Sequence, residues 1–395
     1  MNKFIPLSVP NIKGNERKYV DEALESEWVS SGGPHITKFE DKFKEYLNVS
    51  AACACQSGTA GLHLCLVTLG ITENDIVLVP TLTFIATINA VMYQKATPVF
   101  FDCDDSLGIN VKDIKFYLDT KCKRENNRII ELSSNKEVKA IIPVHVFGNT
   151  CNMEELMEIA KEYKLFVIED ATESLGTNYI EGKYKGKDTG TIGDFGVFSF
   201  NGNKLITTGG GGMVVSDNVE YIDKIRYFST QSKDDAVYFV HNNIGYNYRL
   251  TNVQAAIGLG QLEQIQKFIK QKKENYLYYK DLLKNSKLGY ILDFDEKTNP
   301  NFWFYSYVLC KPNSEIRDKL INYLTENNVQ TRPIWKLNHT QKPFMKFDFY
   351  GENTALKYYN SIINLPCSTN LTKDEVRIVA NLILEFEKSI LWKNK

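Results

Sequence analysis

The sequence lacks the features that mark several classes of protein. Its 395 residues carry a formal net charge of −1, without the basic excess expected of a nucleic-acid binder. Its apolar runs are far shorter than the roughly 20 residues that cross a bilayer, so no membrane span is expected. The opening MNKFIPLSVPN has no apolar core of the kind that a secretion signal needs. These absences predict a soluble, cytoplasmic protein.

Several catalytic and metal-binding patterns are missing as well. The eight cysteines form no CxxC pair and show no ligand spacing with the five histidines, so we expect reduced thiols and no metal. Neither HExxH nor GxSxG occurs. No GxGxxG follows the first predicted strand, and no GK[ST] closes a glycine-rich loop. Nicotinamide-binding Rossmann domains and P-loops are therefore disfavoured.

What the sequence does contain is a regular alternation of strands and helices. Four apolar runs, each followed by a predicted helix or loop, read as strands at 76–79, 97–101, 139–146 and 165–168. After the first of them TLTFIATINAVMY, from Thr81 to Tyr93, reads as a helix. Strands separated by helices of about ten residues predict βαβ units and a parallel sheet. Beyond Gly212 the pattern becomes mixed α+β, after a long predicted helix from Val253 to Leu283 that would connect two lobes. The polar segment 121–136 reads as a solvated excursion. We therefore predict an α/β large domain, 1–250, with an N-terminal arm, and a smaller α+β domain, 251–395.

The most informative stretch is FGVFSFNGNKLITTGGGGM, residues 195–213. A β-type run delivers Lys204 to a polar turn at a strand end, where backbone is exposed and sites are usually built. The four consecutive glycines that follow are costly in chain entropy, which indicates unusual dihedral angles or a close approach of backbone. The alternative is a surface lysine in a flexible hairpin loop.

Two other elements give this lysine a chemical context. Asp170 ends an apolar strand, and such strand ends line the ligand crevice of open α/β sheets. Ser57 is a plausible N-cap for a helix whose first N–H groups would form an anion site, although plain capping is the alternative. A lysine for covalent attachment, an aspartate for the pyridine nitrogen and a helix start for the phosphate together match what pyridoxal phosphate requires.

The motifs also resemble a known family. VIEDATESLG, GDFGVFSFNGNKLITTGGGGM, GYNYRLTNVQAAIGLGQLE and TRPIWKLNHTQKPF are similar to the DegT/DnrJ/EryC1/StrS family of pyridoxal-phosphate-dependent nucleotide-sugar aminotransferases, from about Pro6 to the C-terminus. The NGNK and RPIWK forms look most like enzymes that aminate UDP-2-acetamido-4-keto-2,6-dideoxyhexoses for bacterial glycans of the bacillosamine or legionaminic acid type. The resemblance implies the type I aminotransferase fold, L-glutamate as amino donor, and a homodimer with shared active sites.

The resemblance also implies roles for individual residues. Lys204 would bind the cofactor covalently and act as general acid and base, and Asp170 would pair with the pyridine nitrogen. The remaining cofactor contacts would be Gly58, Thr59 and Ser199 at the phosphate, Phe84 on the ring, Glu173 near the ring hydroxyl, and Asn247 at the partner subunit's phosphate. The substrate contacts would be Ser31, Arg332, Trp335, Lys336 and His339. In relatives the position of Glu173 often carries His or Gln. The alternatives are a core aromatic for Phe84, a turn residue for Asn247, and ordinary packing for the substrate set.

Other functions stay open at this level. The same chemistry could act on a GDP- or dTDP-linked keto sugar. A dehydratase of the family would carry histidine in place of Lys204, which argues against that activity. A regulatory protein with the same fold but no turnover, or a binding module without the cofactor, would be the alternative of a different class.

Overall fold

The computed structural model describes residues 3–235 and 237–392. The helices are α1 Glu16–Glu25, α2 Pro34–Leu47, α3 Gly58–Thr68, α4 Ala86–Tyr93, α5 Val111–Lys121, α6 Met153–Tyr163, α7 Val219–Ser229, α8 Asn252–Leu262, α9 Ile265–Leu283, α10 Ser314–Glu326, α11 Thr354–Tyr359 and α12 Lys373–Trp392. The strands are β1 Ala51–Cys55, β2 Asp75–Pro80, β3 Thr97–Phe101, β4 Cys122–Glu125, β5 Arg128–Glu131, β6 Glu137–Ile141, β7 Phe166–Asp170, β8 Asn178–Tyr179, β9 Phe195–Ser199, β10 Gly212–Ser216, β11 Gly289–Ile291, β12 Thr298–Asn299, β13 Tyr305–Leu309, β14 Arg332–Pro333, β15 Phe349–Tyr350 and β16 Ile362–Leu365.

The main sheet has the strand order β1-β10-β9-β7-β6-β2-β3-β15. From β9 to β15 neighbouring strands run parallel, whereas β10 is antiparallel to both β1 and β9. β2 is joined to β3 through α4, and β6 to β7 through α6, as the alternating pattern predicts, whereas the described link from β7 to β9 contains no helix. The α/β class with a mixed, mostly parallel sheet is therefore confirmed.

Strand β2 shows why the sheet lies at the centre of the fold. All six of its residues are buried, so both faces are covered. Successive side chains point to opposite faces. Val77 belongs to the same buried cluster as Leu62 of α3, whereas Ile76 and Leu78 belong to a second cluster with Ile114 of α5. The two layers of helices therefore hold the strand ends in fixed positions.

A second, antiparallel sheet has the order β11-β13-β16-β14. A large apolar cluster surrounds it and includes residues of α9, α10 and α12. Two segments from beyond residue 250 join the first part of the chain instead: β15 pairs with β3, and Leu259 of α8 shares a cluster with Phe39 of α2. The division at residue 250 stays a prediction.

Three expectations about individual elements were wrong. The helix expected over 253–283 is broken between α8 and α9, at Glu263 and Gln264, whose side chains bind residues at the start of α1. The strand expected over 139–146 ends at Ile141, because Pro143 has no N–H for the ladder. The helix expected from Thr81 begins only at Ala86.

The expected solvated excursion at 121–136 is instead a β-hairpin. β4 and β5 pair with Glu125 opposite Arg128, which leaves a two-residue turn. Both turn residues, Asn126 and Asn127, have positive φ angles of 48° and 67°. This is the sign of φ that a type I′ hairpin turn requires, and asparagine tolerates it. Ile129 and Ile130 are buried, so this hairpin packs on the fold.

Membrane spans and metal clusters are both absent from the described residues. No helix among them is long and apolar enough to span a bilayer. Nor do they contain a group of three or more His, Cys, Asp or Glu side chains arranged to hold a metal ion. The eight cysteines are free thiols, six of them buried.

Candidate active site

A cavity of about 600 Å³ opens beside the carboxyl ends of β7 and β9. Ligands of open α/β sheets bind at this edge. Ten of the predicted site residues line it, namely Gly58, Thr59, Phe84, Asp170, Glu173, Ser199, Lys204, Arg332, Trp335 and Lys336. The fold thus brings together residues that lie up to 278 positions apart in the chain, from 58 to 336.

Helix α3 points its first turn into this cavity. Ser57 is its N-cap, and the Ser57 hydroxyl accepts a 3.0 Å hydrogen bond from the Ala60 N–H. The N–H groups of Gly58 and Thr59 precede the first intrahelical bond and have no acceptor within the described part of the chain. The Ser57 hydroxyl therefore caps the helix, and two N–H groups at the helix start are left without an acceptor in this part of the structure. That these groups bind a phosphate stays a prediction.

The strand end of β7 presents two adjacent acids with different environments. Asp170 lines the cavity, where its Oδ2 accepts a 2.8 Å hydrogen bond from the Thr87 hydroxyl and its Oδ1 accepts from the Thr172 N–H at 3.2 Å. Only 3% of Asp170 is exposed. The two donors fix its carboxylate without neutralising it, so it remains available to a cationic partner.

Glu169 points to the other side of the strand and is fully buried. It accepts hydrogen bonds from the N–H groups of Gly190, Ile192 and Gly193, at 2.6 to 2.9 Å, and it pairs with His145 at 3.0 Å. The Cys151 N–H points at Nδ1 of His145, so this ring donates through Nε2. Glu169 therefore has a structural role beneath the cavity.

Lys204 is held by its own turn and by two groups in the cavity. Its N–H donates to the Asn201 carbonyl at 3.0 Å, in the turn that follows β9. Its Nζ lies 3.5 Å from Oε1 of Glu173 and 4.1 Å from the centroid of the Trp303 ring. The side chain is 14% exposed and lines the cavity.

Glu173 combines burial with a nearby cation. Burial raises the pKa of this carboxyl to about 7, against the opposing effects of the Lys204 ammonium and the Phe147 N–H, and the neighbouring Asp170 raises it further. Phe147 donates to Oε2 at 3.0 Å from a left-handed backbone conformation, with φ 59°. A bulky residue seldom adopts this conformation, and such strain is concentrated at functional sites. The site therefore holds a carboxyl group that titrates near neutrality beside the lysine amine.

The mouth of the cavity is lined by two exposed cations and an aromatic pair. Arg332 donates to the carbonyl of its neighbour Thr331 at 3.0 Å, and the Lys336 ammonium has no hydrogen-bond or ion-pair partner in the described parts of the chain. The Trp335 ring lies 4.8 Å from that of Phe147 and 6.4 Å from that of Phe84. Phe84 is 54% exposed, so it is not a core aromatic. These side chains are free to contact an anionic or planar ligand.

Three predicted residues do not line the cavity. His339 accepts or donates a 2.6 Å hydrogen bond with Thr81 and stacks on Phe349 at 4.0 Å, and burial lowers the pKa of its imidazole. Ser31 and Asn247 are exposed. The structure places His339 in packing interactions, and it leaves the other two on the surface.

Other residues at the cavity were not predicted from the sequence. Thr87, Thr172, Phe147 and Trp303 all line it, and each contacts one of the predicted residues. Thr172 lies two positions after Asp170, so its N–H could have been anticipated as part of an Asx-type turn. Phe147 and Trp303 carry no such local signal, because their contacts depend on tertiary folding.

The chain is similar to known proteins over nearly its whole length. The profile of the DegT/DnrJ/EryC1/StrS aminotransferase family matches residues 10–384. The chain belongs to this family.

GDP-perosamine synthase of Escherichia coli O157:H7 is 39% identical over 385 residues, covering 97% of this chain and 99% of the relative. A UDP-4-amino-4,6-dideoxy-N-acetyl-beta-L-altrosamine transaminase of Campylobacter jejuni is 30% identical over 407 residues, covering 99% of each chain. An aminotransferase of the same family from Brucella abortus superposes with a TM-score of 0.84 at 25% identity, covering 94% of this chain and 95% of that one.

This DegT-family protein is a pyridoxal-phosphate-dependent nucleotide-sugar aminotransferase, and the type I aminotransferase fold is confirmed. The residues present fit the cofactor. Lys204 offers an accessible amine, Asp170 a fixed carboxylate, and α3 two free N–H groups, all facing one cavity. When bound, the cofactor supplies an electron sink for breaking a bond at the amino-bearing carbon.

Proposed function

We propose that this protein transfers the amino group of L-glutamate to C4 of a nucleotide-linked 4-keto-6-deoxyhexose in bacterial glycan biosynthesis. The observation that carries the proposal is the meeting of Lys204, Asp170 and the start of α3 in one cavity whose mouth is lined by Arg332 and Lys336. The first three supply the needs of the cofactor, and the two cations suit a diphosphate-linked substrate.

Each residue then has a definite task. Asp170 keeps a proton on the pyridine nitrogen of the cofactor, since an ion pair favours the charged form. Gly58 and Thr59 donate their N–H groups to the phosphate, with the Ser199 hydroxyl beside them. Lys204 binds the cofactor covalently, and when its amine is free it takes a proton from the donor carbon and later delivers a proton to C4 of the sugar. Glu173 can accept or return a proton beside that amine.

Residues at the mouth would bind the nucleotide part. Arg332 offers a planar guanidinium that can hold a phosphate through two hydrogen bonds, and Lys336 adds a second positive charge. Trp335 and Phe84 present aromatic surface to a sugar or base, and Phe84 would also stack on the cofactor ring. His339 and Ser31 do not line the cavity, so their contacts with the substrate stay predictions.

The proposal has two versions, which differ in the nucleotide that carries the sugar. The sequence motifs favour UDP, and the altrosamine transaminase at 30% identity has a UDP-linked name. The perosamine synthase at 39% identity is named for a GDP sugar and covers nearly the same length. Because the higher identity extends over the whole chain, we place GDP first and UDP second. A dTDP-linked sugar is a third candidate for the assay.

We also propose a homodimer. Four exposed apolar side chains, Val237, Tyr238, Phe239 and Ile244, lie in the segment that leads to Asn247, with exposed fractions between 69% and 86%. A concentration of exposed apolar surface of this kind marks interaction sites. A second copy that covers this segment would bring Asn247 toward the other subunit's phosphate site. Size-exclusion chromatography with light scattering tests this: the wild type should elute as a dimer, and Tyr238→Asp with Phe239→Asp as a monomer.

The function itself is tested by absorbance. The purified protein with pyridoxal phosphate should show a band at roughly 420 nm that L-glutamate shifts to shorter wavelength. Addition of a GDP- or UDP-linked 4-keto-6-deoxyhexose should restore the band, and the more effective carrier identifies the substrate. A band that glutamate leaves unchanged would favour a regulatory protein without turnover, and no band at all would favour a cofactor-free binding module.

A further inference from the structure

Trp303 contacts the lysine of the site from a distant part of the chain. The ring centroid is 4.1 Å from Nζ of Lys204, within the range of a cation–π interaction. The indole Nε1–H also donates a 2.8 Å hydrogen bond to the carbonyl of Asn203, the residue before the lysine. One side chain therefore contacts both the amine of Lys204 and the backbone that carries it.

Trp303 is itself buried, and hydrogen bonds hold its backbone in place. It is 2% exposed, its N–H donates to Oδ1 of Asn301 at 2.9 Å, and its carbonyl accepts from the buried ammonium of Lys272 at 3.0 Å. Asn301 is fully buried, and its Nδ2 donates to the carbonyls of Glu173 and Leu175 at 2.9 and 3.0 Å. Asn301 thereby joins the segment of Glu173 to that of Trp303, so both groups beside the amine are fixed by one amide.

We propose that Trp303 is a positioning residue, which holds the free Lys204 amine against its indole face and fixes the Lys204 turn through the bond to Asn203. The idea rests on the proposed function, because it concerns an amine that must leave the cofactor and return. The free amine then lies between Glu173 and Trp303, two residues that Asn301 connects.

The two members of the pair act differently with pH. The charged groups around the amine are Glu173 and Asp170 on the side of β7, Lys272 on α9, and Arg332 and Lys336 at the mouth. Glu173 can lose its charge near neutrality, whereas an indole face does not titrate. Burial lowers the pKa of a lysine, and a cation–π contact opposes this effect at every pH. Trp303 therefore maintains an attraction for the ammonium that Glu173 supplies only when ionised.

The first test measures the chemical reactivity of the Lys204 amine in the full-length, cofactor-free protein. Competitive labelling with acetic anhydride, read by mass spectrometry, reports the reactivity of Lys204 against the exposed Lys185. Trp303→Leu removes a contact that favours the ammonium, so the labelling of Lys204 relative to Lys185 should rise about three- to thirtyfold. Trp303→Phe should raise it less, because phenylalanine keeps a ring. Trp335→Leu is the matched control: it removes another aromatic of the same cavity, one that packs on Phe147, and should leave the labelling ratio unchanged.

The second test separates position from charge. Trp303→Phe removes the bond to Asn203, so kcat should fall about tenfold while KM for both substrates stays within about twofold. This variant also serves if Trp303→Leu does not fold, which thermal unfolding would show. The proposal is overturned if kcat of Trp303→Phe stays within twofold of wild type, or if Trp335→Leu changes the labelling ratio of Lys204 as much as Trp303→Leu does. Failure of transamination in the wild type would contradict the proposed function and leave the labelling result valid.

Discussion

The floor and the mouth of the cavity are built in different ways. At the floor, Asp170, Glu173 and Lys204 each have hydrogen-bond partners and are largely buried. At the mouth, Arg332 and Lys336 are exposed and their charges have few contacts with the rest of the chain. A group whose geometry is fixed in advance can serve one reaction well. A group that is free until a ligand arrives can serve recognition. We infer that the floor determines the chemistry and the mouth determines which sugar nucleotide is bound.

Removal of the lysine should give the largest effect at the floor. Lys204→Ala lacks both the covalent attachment and the amine that moves the proton, so kcat should fall by at least about 10⁴-fold. The absorbance band should be lost as well, while thermal unfolding of the cofactor-free protein changes little. Turnover near the wild-type rate would contradict the role of Lys204. It would also contradict the inference that the floor of the cavity determines the chemistry.

Neutralising the strand-end acid should come next. Asp170→Asn keeps the shape: its Oδ1 can still accept from the Thr172 N–H, and its Nδ2 can donate to the Thr87 hydroxyl. The amide cannot hold a charge on the cofactor nitrogen, so kcat should fall roughly 10² to 10³-fold. Glu169→Gln is a matched variant on the same strand, and it should affect stability more than the spectrum of the bound cofactor. If Asp170→Asn retained full kcat, the floor would not depend on this charge.

Changes at the mouth should affect binding instead of chemistry. Arg332→Ala should raise KM for the sugar nucleotide about tenfold, because it removes one or two charge-assisted hydrogen bonds, and should leave the glutamate half-reaction within about twofold. Lys342→Ala is the control, since this lysine is exposed on the same segment but does not line the cavity. A loss of kcat without a change in KM would show that the mouth takes part in the chemistry.

The last effect concerns stability and not turnover. The pKa of Glu173 is raised to about 7 in the folded protein from an ordinary value of 4.5, so the folded state binds the proton more tightly than the unfolded state. Between these two pH values the unfolded protein holds fewer protons, and the free energy of unfolding falls as the pH rises.

In Glu173→Gln the side chain no longer titrates, so its contribution to the pH dependence of the free energy of unfolding is lost. The variant should gain up to roughly 3 kcal/mol relative to wild type at pH ~8 and much less at pH ~5. Urea unfolding of the cofactor-free protein at both pH values measures it. An equal difference at the two pH values would show that Glu173 does not titrate in this range.

The sequence predicted most of the floor and little of what supports it. Strand ends and a helix start can be recognised from local patterns, so the positions of Asp170, Lys204 and the Ser57 cap are predictable from the residues around them. Other partners come from distant segments, as Thr87 does 83 positions from Asp170 and Trp303 does 100 positions from Asn203, and no local pattern indicates them. The hairpin at 121–136 was missed because Asn126 and Asn127 are a less common version of a two-residue turn. At the mouth, residues were named by resemblance alone, and His339 does not line the cavity.

The run of glycines after Lys204 has a consequence for how far this protein can be altered. A Cβ atom on Gly212 would lie 2.6 Å from the carbonyl carbon of Ser57, so the lysine loop and the cap of α3 touch through bare backbone. This contact sets the distance between Lys204, which attaches the cofactor, and the phosphate site at the start of α3. Because the contact is made by backbone atoms, repacking of side chains cannot change this distance. Randomised residues at the mouth should therefore be tolerated and can give new sugar specificities, whereas Gly212→Ala should push the two segments apart and release the cofactor.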